Sequence, residues 1–181
     1  LITFHPVTLD AEDGLQQQEE LLSALDALSD DWVLWFTLPN ADTGGRGLAA
    51  SLHRWAKDRP RAHVFASLGQ LRYLSLMREV DVVVGNSSSG LYEAPSLLVP
   101  TVNIGDRQRG RLAAASVLHC VADRKAISDT INLALELDCS NVDNPYGDGR
   151  SAARIVDLLR AMPSAERLLK KSFHSIEASH G

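Results

Sequence analysis

Three consecutive serines shortly after an apolar run are the residues in this sequence best suited to bind an anion. The segment VDVVVGNSSSGLYEAPS covers residues 80–96, and Ser87, Ser88 and Ser89 closely follow an apolar run. Such a run predicts a buried parallel strand that turns into a helix. Serine hydroxyls, unpaired backbone N–H groups and the positive end of the helix would then face the crevice beyond the strand. That environment favours a phosphate group.

An acidic residue and two glycines complete this turn. Glu93 lies five residues after Ser88, about a turn and a half into the predicted helix. Its carboxylate could accept hydrogen bonds from a pair of ribose hydroxyl groups. Gly85 and Gly90 allow the backbone to approach its surroundings closely. We therefore include Gly90 and Asn86 with the serines as candidate binding residues.

Three arginines follow a second short strand, which is predicted at Thr101–Ile104. The segment GDRQRGR contains Arg107, Arg109 and Arg111, and guanidinium groups match the geometry of phosphate oxygens. Taken singly, the serine turn is also typical of a capped helix, and the arginines are also typical of a solvated loop. Together and in this order, the strand, turn, acid and arginines predict one site for a nucleoside diphosphate.

A histidine ends the first predicted strand. The segment LITFH covers residues 1–5, and Pro6 then holds His5 in an extended conformation. Because the carboxyl ends of parallel strands meet at one edge of a sheet, we expect the imidazole of His5 at the same rim as residues 87–90. There it could donate a hydrogen bond to a phosphate. A histidine whose ring is satisfied by loop carbonyls is the alternative interpretation.

Apolar strands alternate with amphipathic helices along the chain. Strands are predicted at residues 1–5, 32–38, 62–66, 80–84, 101–104 and 116–121. Helices are predicted at residues 11–29, 48–55, 70–78, 123–137 and 151–161, and a further helix follows Pro163. This alternation predicts an α/β fold, a Rossmann-like parallel sheet with helices on both faces. We assign residues 1–162 to one domain and residues 163–181 to a C-terminal helix.

The helix predicted at residues 70–78 begins at the same edge of the sheet. The base of a nucleotide could therefore rest against the main chain of residues 67–70. Leu71, Leu74 and Met77 recur along this helix, and their spacing predicts core side chains.

The composition excludes several classes of partner. The chain has 181 residues, of which 45% are hydrophobic and 23% are charged, as in ordinary globular proteins. A net charge of −5 argues against nucleic acid as a partner. Cys120 and Cys139 form no ligand motif with histidines, so we expect neither a metal nor another cofactor. No apolar run reaches the roughly 18 residues of a membrane span, so we expect no membrane partner and a cytoplasmic location.

Six motifs together resemble the UDP-N-acetylglucosamine 2-epimerase family. They are HPVT, PNADTGGR, SLGQLRYLSLM, VVVGNSSSGLYEAPS, PTVNIGDRQRGR and NPYGDG, and the resemblance spans residues 1 to about 160. The GDRQRGR segment is similar to the hydrolysing branch, which makes N-acetylmannosamine for sialic acid synthesis or a related sugar for legionaminic-type acids. Members of the family have two Rossmann-like domains in the glycosyltransferase-B arrangement. The resemblance implies that this chain is the second half, and that the C-terminal helix packs toward a missing N-terminal domain.

The resemblance also implies a ligand and a set of roles. The ligand would be UDP or a UDP-N-acetylhexosamine, with its diphosphate on the serines and its ribose hydroxyls on Glu93. The candidate UDP-binding residues are Asn86, Ser87, Ser88, Ser89, Gly90, Glu93 and Arg111. The candidate catalytic residues, near the phosphates, are His5 and Arg107.

The family reaction begins with anti elimination of UDP to give a 2-acetamidoglucal, and water then adds to give the epimerised free sugar. The resemblance assigns the proton transfers at the sugar carbons mainly to the first domain, so we expect this chain alone to be inactive. Two alternatives remain, which are the nucleotide-sugar domain of a glycosyltransferase-B enzyme and a non-catalytic nucleotide-sugar sensor. A homo-oligomer is a further expectation, and the identity of the sugar stays open.

Overall fold

The computed structural model describes residues 1–6, 11–39, 44–164 and 169. Chain contacts define two compact units, Leu1–Tyr146 and Gly147–Gly181. All the candidate site residues belong to the first unit. Residues 40–43 of the PNADTGGR motif and nearly all of the terminal helix predicted after Pro163 lie outside the described residues. The packing of residues 163–181 therefore stays a prediction.

The first unit contains a six-stranded sheet in the order β3-β2-β1-β4-β5-β6. The strands are β1 Ile2–Thr3, β2 Leu34–Thr37, β3 Ala62–Phe65, β4 Val83–Gly85, β5 Thr101–Ile104 and β6 Val117–Cys120. All neighbouring pairs are parallel, and Ile2 lies opposite Phe36 on one side and Val84 on the other. The strand order therefore reverses between β1 and β4, which is where open α/β sheets bind ligands.

Helices cover both faces of this sheet. They are α1 Ala11–Asp26, α2 Gly45–Ala56, α3 Gly69–Glu79, α4 Ser89–Tyr92 and α5 Arg124–Leu135, with a 3-10 helix at Ala94–Leu97. Val82 and Val84 pack into a core formed with α1, α2 and α5, whereas Val83 packs with Met77 of α3. This alternation is what a strand buried on both faces requires. The predicted α/β class, a Rossmann-like parallel sheet, is confirmed.

The second unit contains α6, Ser151–Ala161. Its bounds agree with the helix predicted at residues 151–161, and Asp148 pairs with Arg154 at 2.6 Å close to its start. Among the described residues, no helix is long and apolar enough to cross a membrane.

The core prediction for α3 is confirmed for Met77 and wrong for Leu71. Met77 is fully buried and Leu74 is half-buried, whereas Leu71 is 80% exposed. A spacing of three residues drifts by about 60° around a helix at each step. Leu71, two steps from Met77, is therefore turned away from the core.

Two glycines permit close packing around β4, as the sequence predicted. A Cβ atom on Gly85 would lie 2.1 Å from the carbonyl oxygen of Thr3, and a Cβ on Gly90 would lie 2.5 Å from Cγ2 of Thr101. Gly85 thus allows β4 to end directly beside β1. Gly90 allows α4 to rest against β5, where its carbonyl accepts a hydrogen bond from the hydroxyl of Thr101 at 3.0 Å.

Candidate functional site

A groove of about 540 Å³ lies at the carboxyl edge of β1 to β4. Its lining residues are Thr3, His5, Thr37, Leu38, Pro39, Ala66, Ser67, Leu68, Gly69, Gln70, Tyr73, Ser87 and Ser89. The groove therefore brings His5 and two of the three serines together with residues 67–70, the segment expected to contact a nucleotide base. Its volume is in the range of small-molecule sites.

The helix that follows the serine turn is much shorter than predicted. Helix α4 ends at Tyr92, and Pro95 lies in the first turn of the 3-10 helix that comes next. Proline cannot continue an α-helical ladder because it lacks an N–H group. Glu93 therefore follows α4 instead of lying inside a longer helix. A single turn aligns few peptide dipoles, so any anion bound here must rely mainly on hydroxyls, amides and cationic side chains.

Hydroxyl groups form a connected row at this turn. The Oγ of Ser87 accepts hydrogen bonds from the N–H of Ser89 at 3.4 Å and from the hydroxyl of Ser89 at 3.1 Å. The Oγ of Ser89 lies 2.7 Å from the hydroxyl oxygen of Tyr73. Ser88, at the N-cap, makes no side-chain cap bond, and its carbonyl accepts the N–H of Tyr92 at 2.9 Å. The expected serine cap is thus limited to the long contact at Ser87.

Asn86 holds the backbone of His5. Its Oδ1 accepts the N–H of His5 at 2.7 Å, and its Nδ2 donates to the carbonyl of His5 at 2.9 Å. Asn86 is fully buried and His5 is only 7% exposed. One amide side chain therefore satisfies both main-chain groups of His5 and fixes the chain after β1 against the end of β4.

Replacing Asn86 with alanine is expected to lower the free energy of unfolding by about 2 kcal/mol, because two buried main-chain groups would lose their partner. Urea unfolding followed by circular dichroism measures this loss. Asn141→Ala is the matched control, since Asn141 is exposed and should tolerate the change. Equal stabilities for the two variants would show that the Asn86 contact contributes nothing.

The loop after β5 also contacts this asparagine. Nη1 of Arg107 donates to the carbonyl of Asn86 at 3.1 Å, and Nε2 of Gln108 donates to the same oxygen at 2.7 Å. The structure thus places Arg107 against Asn86, the residue that precedes the three serines, and its role toward a phosphate stays a prediction. Gln108 is only 1% exposed and was not expected at this site, because a glutamine between two arginines resembles a solvated residue.

The other two arginines of the GDRQRGR segment, Arg109 and Arg111, do not bond the carbonyl of Asn86 in the hydrogen bonds described. Arg109 is paired with Asp106 at 3.6 Å, and both side chains are largely exposed. Nη1 of Arg111 donates to the hydroxyl of Tyr92 at 2.9 Å, and its guanidinium lies 5.7 Å from the centre of that ring. The rings of Tyr92 and Tyr146 pack edge to face, with their centroids 4.3 Å apart. Arg111 therefore contacts Tyr92, and its sequence spacing did not indicate this contact.

Glu93 carries a carboxylate oxygen suited to a ligand. Burial raises the pKa of this carboxyl above its usual value. Its Oε2 is buried and has no hydrogen-bond partner among the described residues. A buried acceptor of this kind is costly unless a donor satisfies it. Glu93 is not one of the described residues that line the groove. It directly follows the one-turn helix that begins at Ser89.

The described part of the chain contains no group of three or more histidine, cysteine, aspartate or glutamate side chains that could hold a metal ion. Burial raises the pKa of the Cys120 thiol, which makes a thiolate ligand less available there.

Curated relatives of this chain include hydrolysing 2-epimerases. The GDP/UDP-N,N'-diacetylbacillosamine 2-epimerase (hydrolyzing) of Campylobacter jejuni is 40% identical over 119 residues, which are 65% of this chain and 31% of that protein. The polysialic acid biosynthesis protein P7 of Escherichia coli is 32% identical over 97% of this chain and 46% of its own length. The UDP-N,N'-diacetylbacillosamine 2-epimerase (hydrolyzing) of Legionella pneumophila is 29% identical over 94% of this chain and 45% of its own length. The chain spans less than half the length of these relatives.

Solved structures share the fold at lower identity. The UDP-GlcNAc 2-epimerase of Methanocaldococcus jannaschii superposes with a TM-score of 0.72 at 18% identity, over 89% of this chain and 45% of that one. Its complex with UDP-GlcNAc and UDP superposes with a TM-score of 0.68 at 19% identity, over 89% and 44%. Residues 1–160 match the family model described as UDP-N-acetylglucosamine 2-epimerase. The chain therefore belongs to the UDP-N-acetylglucosamine 2-epimerase family.

Proposed function

We propose that this chain is the UDP-binding half of a hydrolysing UDP-N-acetylglucosamine 2-epimerase. The whole enzyme would convert UDP-N-acetylglucosamine and water into N-acetylmannosamine and UDP. The observation that carries the proposal is the groove at the switch point, which joins His5 and the serine turn to residues 67–70. Family membership over residues 1–160 supports it, as do the hydrolysing 2-epimerases among the relatives.

In this proposal the parts of UDP occupy different parts of the site. The uracil rests against the main chain of residues 67–70, and the diphosphate accepts hydrogen bonds from the hydroxyl of Ser87 and from amides of the turn. Ser89 contributes through the hydrogen bond that its hydroxyl donates to Ser87. Glu93 accepts hydrogen bonds from the ribose, which would satisfy its partnerless Oε2. Ser88 and Gly90 contribute main-chain groups, Asn86 acts through the backbone of His5, and Arg111 lies toward the outer side of the nucleotide.

The proposed chemistry of this half is stabilisation of the leaving group. When the bond from the sugar carbon to UDP breaks, negative charge develops on the terminal phosphate of UDP. Donors fixed in advance lower the energy of that charge, and His5, Ser87 and Arg107 are the candidates. Elimination also needs a base for the carbon-bound proton. We assign that base to the other half of the protein, and we therefore expect no turnover from this chain alone.

We further propose that the other half of the enzyme is the principal partner of this chain and that the enzyme forms homo-oligomers. Nucleotide-sugar substrates favour a cytoplasmic location. The product would be a precursor of sialic acid, or a diacetamido relative for a legionaminic-type acid. The relative that is 40% identical carries a diacetylated sugar in its name, so the diacetamido sugar is the alternative product to N-acetylmannosamine.

Calorimetric titration of this chain with UDP tests the proposal. We expect UDP to bind and ADP not to bind, and we expect Ser87→Ala to weaken UDP binding by on the order of tenfold, through a lost hydrogen bond to a charged group. Ser140→Ala is the matched control, because Ser140 is exposed. GDP is the competing ligand, since the Campylobacter relative names both nucleotides. A folded chain that binds GDP more tightly than UDP, or that binds neither, would contradict the proposal.

A further inference from the structure

A tyrosine hydroxyl forms the outer end of the hydroxyl row beside the serine turn. Tyr73 lies on α3, and its hydroxyl oxygen is 2.7 Å from Oγ of Ser89, which is 3.1 Å from Oγ of Ser87. All three residues line the groove. The ring of Tyr73 packs against the core cluster that contains Met77 and Val83, so its hydroxyl is presented from a fixed position.

The direction of this row follows from counting protons. Each hydroxyl has one proton to donate. Ser87 accepts both the N–H and the hydroxyl of Ser89, so Ser89 has used its only hydroxyl proton. The bond between Tyr73 and Ser89 must then be donated by Tyr73. Both bonds at Ser87 use its oxygen as an acceptor, which leaves its own proton to be donated to a group in the groove.

We propose that Tyr73 is a positioning residue of the phosphate site, and that it acts through Ser89 to fix the hydroxyl of Ser87 as a donor toward a phosphate oxygen. This inference rests on the proposed function and adds a residue to it. Connected hydrogen bonds polarise one another, so a hydroxyl that accepts two hydrogen bonds donates more strongly to an anion. The phenol of Tyr73 bonds Ser89, and Ser89 in turn supplies both of the bonds that Ser87 accepts.

The variant Tyr73→Phe keeps the ring in the core and removes only the hydroxyl. We expect its affinity for UDP to fall by about five- to tenfold, which is the scale of one hydrogen bond, while its affinity for uridine stays unchanged because uridine has no phosphate. Ser75→Ala is the matched control, since Ser75 is exposed on the same helix and bonds the carbonyl of Leu71 at 2.8 Å. Equal losses for UDP and uridine would assign Tyr73 a structural role and overturn the inference.

A double-mutant cycle tests whether Tyr73 acts through Ser87. Once Ser87→Ala has removed the terminal donor, adding Tyr73→Phe should weaken UDP binding by less than about twofold, because coupled groups are not additive. Losses that multiply would overturn the inference. If the unaltered chain binds UDP and Tyr73→Phe binds it equally well, this inference fails while the proposed function stands. If the unaltered chain binds no UDP, both fail.

Discussion

Replacing Gly85 with alanine is expected to destabilise the first compact unit by more than about 3 kcal/mol, one of the largest effects of any single change in this chain. The added Cβ would lie 2.1 Å from the carbonyl oxygen of Thr3, and φ at this glycine is +135°. Residues other than glycine rarely adopt such a backbone conformation. The carbonyl oxygen of Thr3 belongs to the backbone and cannot rotate away from an added Cβ. Separating β4 from β1 would also break their ladder. Urea unfolding followed by circular dichroism measures the loss.

Gly69 provides the control for backbone conformation alone. Its φ is +66°, and a Cβ placed there would meet nothing within 4 Å. Gly69→Ala should therefore cost only about 1 kcal/mol, from the left-handed conformation. If Gly85→Ala is no less stable than Gly69→Ala, the close approach of β4 to β1 is not required for the fold.

Replacing Glu93 with alanine is expected to weaken UDP binding by about 10- to 100-fold, because a carboxylate that accepts hydrogen bonds from ribose would be lost. The effect should depend on the sugar. The unaltered chain should bind UDP more tightly than 2'-deoxy-UDP, and Glu93→Ala should bind the two nucleotides alike. Calorimetric titration measures all four affinities, and Glu136→Ala, at an exposed position, is the matched control.

The same carboxyl predicts the direction of a pH dependence. Burial raises the pKa of the Glu93 carboxyl above its usual value, so its proton binds at a higher pH in the folded chain than in the unfolded chain. UDP affinity should fall as the pH drops through this raised pKa, and Glu93→Ala should lack that component. Without UDP, the contribution of Glu93 to the free energy of unfolding should fall as the pH rises through the same range, because the buried carboxyl is then ionised. If Glu93→Ala still binds UDP more tightly than 2'-deoxy-UDP by the same factor as the unaltered chain, the ribose does not contact Glu93.

Local patterns were sufficient to predict most of the architecture. The strand at Thr101–Ile104 and the helix at Ser151–Ala161 have the bounds expected from the sequence, because apolar runs, helical periodicity and turn residues act over a few positions. The glycines on either side of the serine turn were correctly expected at close approaches. These are features that neighbouring residues decide.

Contacts between distant residues could not be predicted in the same way. Asn86 and His5 are 81 positions apart, and nothing in either segment indicates that one amide would satisfy both main-chain groups of the histidine. The placement of Arg111 on Tyr92 likewise depends on how the loop after β5 returns to α4. The early end of α4 has instead a local cause, Pro95, because proline cannot continue an α-helix.

We expect UDP to occupy the groove at the carboxyl edge of the sheet. Amide chemical-shift mapping of the isotope-labelled chain during titration with UDP tests it most directly. We expect saturable shifts in residues 66–70 and 87–90, together with the amide of Glu93. A second cavity, at the amino ends of the strands, is lined by residues that include Trp32, Val33 and Glu79. Shifts confined to that opposite edge, or no shifts from a folded chain, would contradict the account.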